Sequence, residues 1–329
     1  MSQYQAIITG TGRSLPSRVL TNDDLAHIVE TSDEWITTRT GIKARHQATA
    51  DECTSTFATA AARQALARAG VNAEDLDLII CATVCPDQAL PSTAVLIQSQ
   101  LGAKKAAAFD LVAACSGFLY SLTVANQFIA TGLHQNILII GVEVLSRYVD
   151  YSDRATCVLF GDGAGAAVVQ RSTDPNRGVL ATRIQSDGDL ASVLYIPGGG
   201  TKIPASRASV EGGQHFIKMK GNELFKVAVR AMEDTARRLL DEQKMSANDI
   251  DLFVPHQANQ RITDAVADRL GVPAEKVYSN IEHTGNTSAA SIPICLDELV
   301  EAGRLQPGTN LLMTSFGAGV TWGGVLMRW

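Results

Sequence analysis

Aromatic residues are scarce: 5% of 329 residues, although 46% are hydrophobic. A core with so few rings is built from Ala, Val, Leu and Ile, which suits buried parallel strands under close-packed helices. Long apolar runs are also missing. The longest, about Ile137–Leu145, holds Glu143 and is too short to span a bilayer, so no membrane partner is expected. Positive charge is not in excess. The 28 Lys and Arg against 34 Asp and Glu leave a net charge of −6, so no nucleic-acid partner is expected. The N-terminal residues lack a basic region and a cleavage pattern and enter a strand-like run, Tyr4–Ile8, so a cytoplasmic protein is expected. In that compartment the six cysteines are thiols, not a disulfide frame. Cys81 and Cys85 have no His pair nearby, so no metal site is expected. A dinucleotide fingerprint is absent too. Gly10 and Gly12 are followed by Leu15-Pro16, and Gly161, Gly163 and Gly165 precede a strand-like Ala166–Gln170, whereas that fingerprint needs strand, glycine loop, helix.

Three short motifs carry chemistry. Ala113–Phe118 offers Cys115, Pro255–Asn259 offers His256, and Gly285–Ser291 offers Asn286. Cys115 lies between an apolar run, Ala106–Val112, and a helix-like stretch, Gly117–Ala130. A thiol at a strand-to-helix turn meets free N–H groups and the helix dipole, which favour a negative sulfur. Histidine and asparagine are suitable donors to a developing oxyanion.

The chain is also internally duplicated. Val71–Ile79 (VNAEDLDLI) resembles Met245–Phe253 (MSANDIDLF), and aligning Leu76 with Ile250 gives an offset of 250 − 76 = 174. At that offset Cys115 falls on Ala289, inside the Asn286 motif, and Gly132 falls near Gly303. Each half reads helix, strand, loop, strand, helix, strand. The period far exceeds the roughly 20–50 residues of a solenoid repeat. Two facing halves would bring Cys115, His256 and Asn286 to one central site.

Each residue also has an ordinary reading. Cys157 and Cys295 sit in apolar runs as small hydrophobes. His27, His46, His134 and His215 have no supporting context. His283, three residues before Asn286, is the rival to His256. Asn286 could simply cap a helix, which is compatible with a catalytic role. Ser32 can cap a short helix bearing Trp35 and Arg39, and Gly41 can end it.

With these motifs, Thr31–Gly41, Asp153–Gly165, Gly221–Val229, His256–Ile262, Asn286–Ser291 and Ser315–Gly323 together make the chain resemble the β-ketoacyl-acyl-carrier-protein synthase III family. The resemblance implies a thiolase-like, five-layered αβαβα fold of two duplicated, pseudo-twofold-related halves, residues 1–173 and 174–329. It implies condensation of a short acyl-CoA with malonyl-acyl-carrier protein through acyl-Cys115, with His256 as the family's histidine. Coenzyme A would contact Thr31, Trp35, Arg39, Arg154, Asn222 and Asn259, and the carrier protein Arg261 and Lys226. The acyl pocket would include Phe316 and Leu90, the latter reaching into the partner of a homodimer. The loop Gly317, Ala318, Gly319 would supply an oxyanion N–H. No cofactor is implied, since acyl-CoA is a substrate. Relatives that load other acyl groups in secondary metabolism keep the same motifs. A papain-like protease would need CGSCW, which is absent, and a degenerate partner subunit would lack a catalytic residue, whereas none is missing. Two departures stand out: the Gly-rich Gly198–Gly213, and Asp264 and Asp268 beside Arg261.

Overall fold

The structure, a computed structural model, describes residues 4–329. Two sheets form its frame. The first runs Gln5–Ser14, Gly163–Ser172, Asn136–Glu143, Leu78–Ala82, Ala107–Leu111. The second runs Gly178–Ser186, Thr321–Arg328, Asn310–Gly317, Leu252–Pro255. In the first sheet Asn136–Glu143, Leu78–Ala82 and Ala107–Leu111 run parallel, in the second Leu252–Pro255 and Asn310–Gly317 do, and the remaining pairings are antiparallel.

Five layers result from which faces are apolar. Helices Gly117–Ala130 and Ser291–Glu301 are buried between the sheets, where Phe118, Leu122, Ile292 and Leu296 pack with Ile80 and Ile139 on one side and Val254 and Met313 on the other. Most residues of these two helices are apolar and most are buried, which suits an interior position. Outside the first sheet lie Thr54–Ala69 and Thr93–Leu101. Outside the second lie Gly221–Glu242 and Gln260–Leu270, apolar on one stripe only. Gly10 and Gly12 are inside the first strand, not after it. A Cβ at either would come within 2.2 Å of a carbonyl of the Ala61–Ala65 turn, so their bareness lets the alanine helix lie directly on the sheet. Gly163 and Gly165 likewise lie within a strand.

The repeat is visible element by element. Adding 174 to 73, 78, 114 and 136 gives 247, 252, 288 and 310, and these pairs start matching turns and strands. One expected element is missing: opposite Ala107–Leu111, the second half keeps only a bridge, Phe253 to Val277. The Gly-rich stretch Gly198–Gly213 is an excursion from a ribbon of Leu194–Tyr195 with Lys218–Met219. Among the described residues, no helix is long and apolar enough to cross a membrane.

Candidate active site

The strand Ala107–Leu111 delivers the chain to a single turn, Ala114–Ser116, from which helix Gly117–Ala130 departs. Ala114 holds φ at 47°, a left-handed value that strains any residue with a Cβ. Its counterpart in the repeat, Ser288, holds 49°. These two elbows face each other and turn their helix starts towards the centre. Cys115 is 8% exposed. Gly317 lies against it: a Cβ there would stand 2.7 Å from the Cys115 nitrogen, so only glycine permits the approach.

The sulfur is not the resting thiolate expected from its helix start. Burial pushes the thiol up to about 12. The Ser288 hydroxyl pulls it partly back, and the Glu143 charge adds to the rise. Desolvation of a small anion outweighs the dipole of one helix end.

His256 follows the strand Leu252–Pro255 and is 2% exposed. Burial alone pushes its imidazole down to about 3, so it is neutral at pH 7. Its Nδ1 lies 2.7 Å from Ser291 Oγ, while Nε2 is buried with no partner. Asn286, 6% exposed, is held on both sides: its N–H donates to Leu159 O and its carbonyl accepts from Gly161 N–H. Its Oδ1 accepts from Ser288 N–H at 2.9 Å, which leaves the amide nitrogen as a donor; the N-caps of the two helices that follow are Thr287 and Ala290, so Asn286 caps neither. Cys115, His256 and Asn286 line one tunnel. His283 lies outside it, pointing at Glu298.

Sequence reading gave no role to Glu143. It is fully buried and accepts from Val84 N–H at 3.0 Å, Thr83 Oγ1 at 3.2 Å and Ser288 Oγ at 3.0 Å. Burial pushes its carboxyl up from 4.5 to about 7 despite these donors. A carboxyl raised in the folded state stabilises below its unfolded value and loses that stability as pH climbs towards 7. Against neutral Glu143→Gln, the natural protein should therefore lose about 3 kcal/mol more between pH 4.5 and pH 8. Denaturant midpoints across that range measure it, and a gap constant with pH contradicts it.

The tunnel opens onto a groove lined by Trp35, Arg39, Asn222, Lys226, Asn259 and Arg261; Asn259, Phe225 and Met219 line both. Ser32 Oγ accepts from Trp35 N–H, and Gly41 ends that helix in a left-handed turn, as its sequence predicts. The Arg39 and Arg154 guanidiniums lie 4.5 and 4.7 Å from the Trp35 ring centroid. Asn259 Oδ1 caps its own helix through Arg261 N–H, and its Nδ2 donates to Arg39 O, tying the mouth to the tunnel. Thr31 is not in the groove wall, and its Oγ1 is buried without a partner. Asp264 and Asp268 are exposed, and Asp264 accepts from Gln260 rather than from Arg261.

A second cavity meets Cys115 from the other side and is almost wholly apolar, lined by Val84, Leu145, Phe160, Leu194, Ile196 and Ile217 among others. None of these walls was found from sequence except as scattered apolar residues. Phe316, expected in the acyl pocket, lines the tunnel with Cys115. Leu90 is 85% exposed and lines neither cavity of its own chain. Among the described residues, no group of three His, Cys, Asp or Glu side chains is placed to hold a metal.

Comparison with known proteins gives matches along the whole chain. The family described as 3-oxoacyl-[acyl-carrier-protein (ACP)] synthase III matches residues 109–188, and its C-terminal family matches residues 240–329. The β-ketoacyl-[acyl-carrier-protein] synthase III of Symbiobacterium thermophilum is 51% identical over 322 residues, 98% of this chain and 97% of that protein. The crystal structure of 3-oxoacyl-[acyl-carrier-protein] synthase III from Aquifex aeolicus is similar at a TM-score of 0.91 and 50% identity, covering 98% of this chain and 100% of that one. The priming β-ketosynthase of the R1128 polyketide pathway is similar at a TM-score of 0.92 but 36% identity, covering 99% and 97%.

Proposed function

This chain belongs to the β-ketoacyl-[acyl-carrier-protein] synthase III family, and we propose that it condenses a short acyl-CoA with malonyl-acyl-carrier protein through acyl-Cys115, the step that initiates fatty acid synthesis. It is a condensing acyltransferase of the thiolase fold. The observation that carries the residue roles is the convergence of Cys115, His256 and Asn286 on one tunnel. The halves that converge are taken as residues 1–173 and 174–329, supported by the repeat at 174.

The Cys115 thiol gives its proton to solvent as its sulfur attacks the thioester carbonyl, the acyl group moves to sulfur, and coenzyme A leaves as its thiolate and takes a proton back from solvent. Orphan N–H groups of the first helical turn, that of Cys115 with one from Gly317–Gly319, hold the tetrahedral oxyanion. Malonyl-carrier protein then enters. Loss of carbon dioxide leaves its bonding pair on the α-carbon, and the charge spreads to the thioester oxygen. His256 Nε2 and the Asn286 amide nitrogen donate to that oxygen. A neutral imidazole suits this task, and its low basicity argues against a papain-like Cys–His ion pair. The α-carbon attacks acyl-Cys115, a carbon–carbon bond forms as the carbon–sulfur bond breaks, and the Cys115 thiolate is released and protonated by solvent to the resting thiol. No metal or organic cofactor enters these steps.

At the mouth, Trp35 with Arg39 and Arg154 offers a π-face and guanidiniums to the adenine and phosphates of coenzyme A. Asn222 and Asn259 flank the pantetheine path, and Arg261 and Lys226 present positive charge to an acidic carrier protein. Incubating the protein with acetyl-CoA and then malonyl-carrier protein tests the reading. An adduct on the Cys115 peptide should be discharged as acetoacetyl-carrier protein and carbon dioxide. An adduct that malonyl-carrier protein cannot discharge would indicate acyl transfer alone.

The apolar cavity behind Cys115 is the acyl chamber in this reading, and its remaining wall comes from a second copy. Strand Ala107–Leu111 is an open sheet edge on which Phe109 is exposed, with Val112 and Leu90 exposed nearby. Such an unpartnered apolar edge calls for cover. Pairing across it would form the homodimer and carry Leu90 into the neighbouring chamber. Leucine leaves room for short chains, and adding methylenes to a filled site costs about 1–3 kcal/mol. Leu90→Ala should shift preference to longer acyl-CoAs and Leu90→Phe to acetyl, read from relative kcat/KM over a chain-length series. An unmoved profile removes Leu90 from the chamber.

A further inference from the structure

The hydrogen on His256 has two possible positions, and only one serves the proposed chemistry. A neutral imidazole has one N–H and one lone pair. With the hydrogen on Nδ1, the tunnel would face a lone pair, which repels a developing oxyanion. With it on Nε2, the tunnel faces a donor.

Ser291 decides between them. Its Oγ lies 2.7 Å from His256 Nδ1 and accepts from the Gln257 N–H at 3.5 Å. No other bond of this hydroxyl is present among the described residues. Its own hydrogen therefore has one acceptor, Nδ1, which must then carry the lone pair. Ser291 is 2% exposed, so bulk solvent does not reach that hydrogen. It opens the helix Ser291–Glu301 directly after the strained turn Ser288–Ala290. The same turn fixes Asn286 through the Ser288 N–H. One rigid segment thus orients both donors from behind.

We propose that Ser291 is a positioning residue that fixes the His256 tautomer, holding the hydrogen on Nε2 and aiming it into the tunnel. The proposal rests on the reading that His256 donates to the malonyl thioester oxygen. The Nε2 atom is buried and without a protein partner, so a donor there is left free for substrate.

The test is nitrogen NMR of the intact protein labelled with 15N-histidine, with the His256 signals assigned by their loss in His256→Gln. The natural protein should show a protonated Nε2 and a bare Nδ1. Ser291→Ala should show a mixture of tautomers. Its kcat for malonyl-carrier-protein decarboxylation should fall about tenfold, the effect of one buried hydrogen bond, with KM and the rate of acyl transfer to Cys115 unchanged. A hydrogen on Nδ1 in the natural protein overturns the proposal, and that spectrum decides even where Ser291→Ala fails to fold. Equal loss of both half-reactions in Ser291→Ala overturns it as well, since general damage would do that. His256→Ala with full decarboxylation would instead remove the reading of His256 itself, whatever the tautomer.

Discussion

Cys115→Ala should form no acyl-enzyme at all, and condensation should fall by on the order of 10⁶, as loss of a covalent nucleophile does. The reason is placement, because five other thiols remain. Among the described residues, Cys115 is the only cysteine lining either cavity. Cys53 also stands at a helix start, that of Thr54–Ala69, which helix signals alone do not separate from Cys115. Its sulfur sits beside the Asp87 carboxylate at 3.5 Å and near Thr56, away from the tunnel. Cys81, Cys85, Cys157 and Cys295 are buried in packed clusters, and burial pushes each of these thiols up. The variant should still release carbon dioxide slowly from malonyl-carrier protein, because the two proposed oxyanion donors, His256 and Asn286, remain. Peptide mapping after incubation with acetyl-CoA measures the first part. Label on any other cysteine defeats the assignment.

The sequence revealed the parts of this site that depend on chemical type and spacing. Gly117–Ala130 is legible as a helix because an apolar 3.6-residue pattern comes after a strand and ends before Gly132. The Ser32 and Gly41 caps are legible because each acts within one turn. The 174-residue repeat places Asn286 opposite Cys115 without any contact being known. The hidden parts depend on long-range packing. Alanine and serine carry no sign that Ala114 and Ser288 adopt left-handed angles. Nothing local tells that Cys115 loses its solvent and is held as a thiol. The walls Val84, Leu145, Leu194 and Ile217 come from four separate segments, so no window of sequence contains the chamber. Glu143 looks like a flaw in an apolar strand, whereas it is fully buried behind Ser288 and accepts from three donors. The lost edge strand near Val277 shows the opposite limit: duplication predicts a scaffold but not which copy of an element survives.

His256→Ala and Asn286→Ala should each cost about 100- to 1000-fold, the usual effect of losing one oxyanion donor, and the loss should fall on decarboxylation. In the proposed mechanism acyl transfer to Cys115 has its own donors in the backbone of the nucleophile turn and the Gly317–Gly319 loop, so removing either side chain should leave that step standing. Decarboxylation has no such reserve. In that mechanism its charge develops on the malonyl thioester oxygen, towards which the His256 imidazole and the Asn286 amide bring donors left free in the tunnel. Because the two act on one oxygen, the double variant should lose less than the product of the single losses. Carbon dioxide release from malonyl-carrier protein and acetyl loading of Cys115 are measured separately for each variant. An equal fall in both would mean that the residue acts chiefly on the thiol. That outcome is disfavoured by His256 itself, since an imidazole pushed down to about 3 lacks the second proton, and so the positive charge, that would stabilise a thiolate as its ion pair at pH 7.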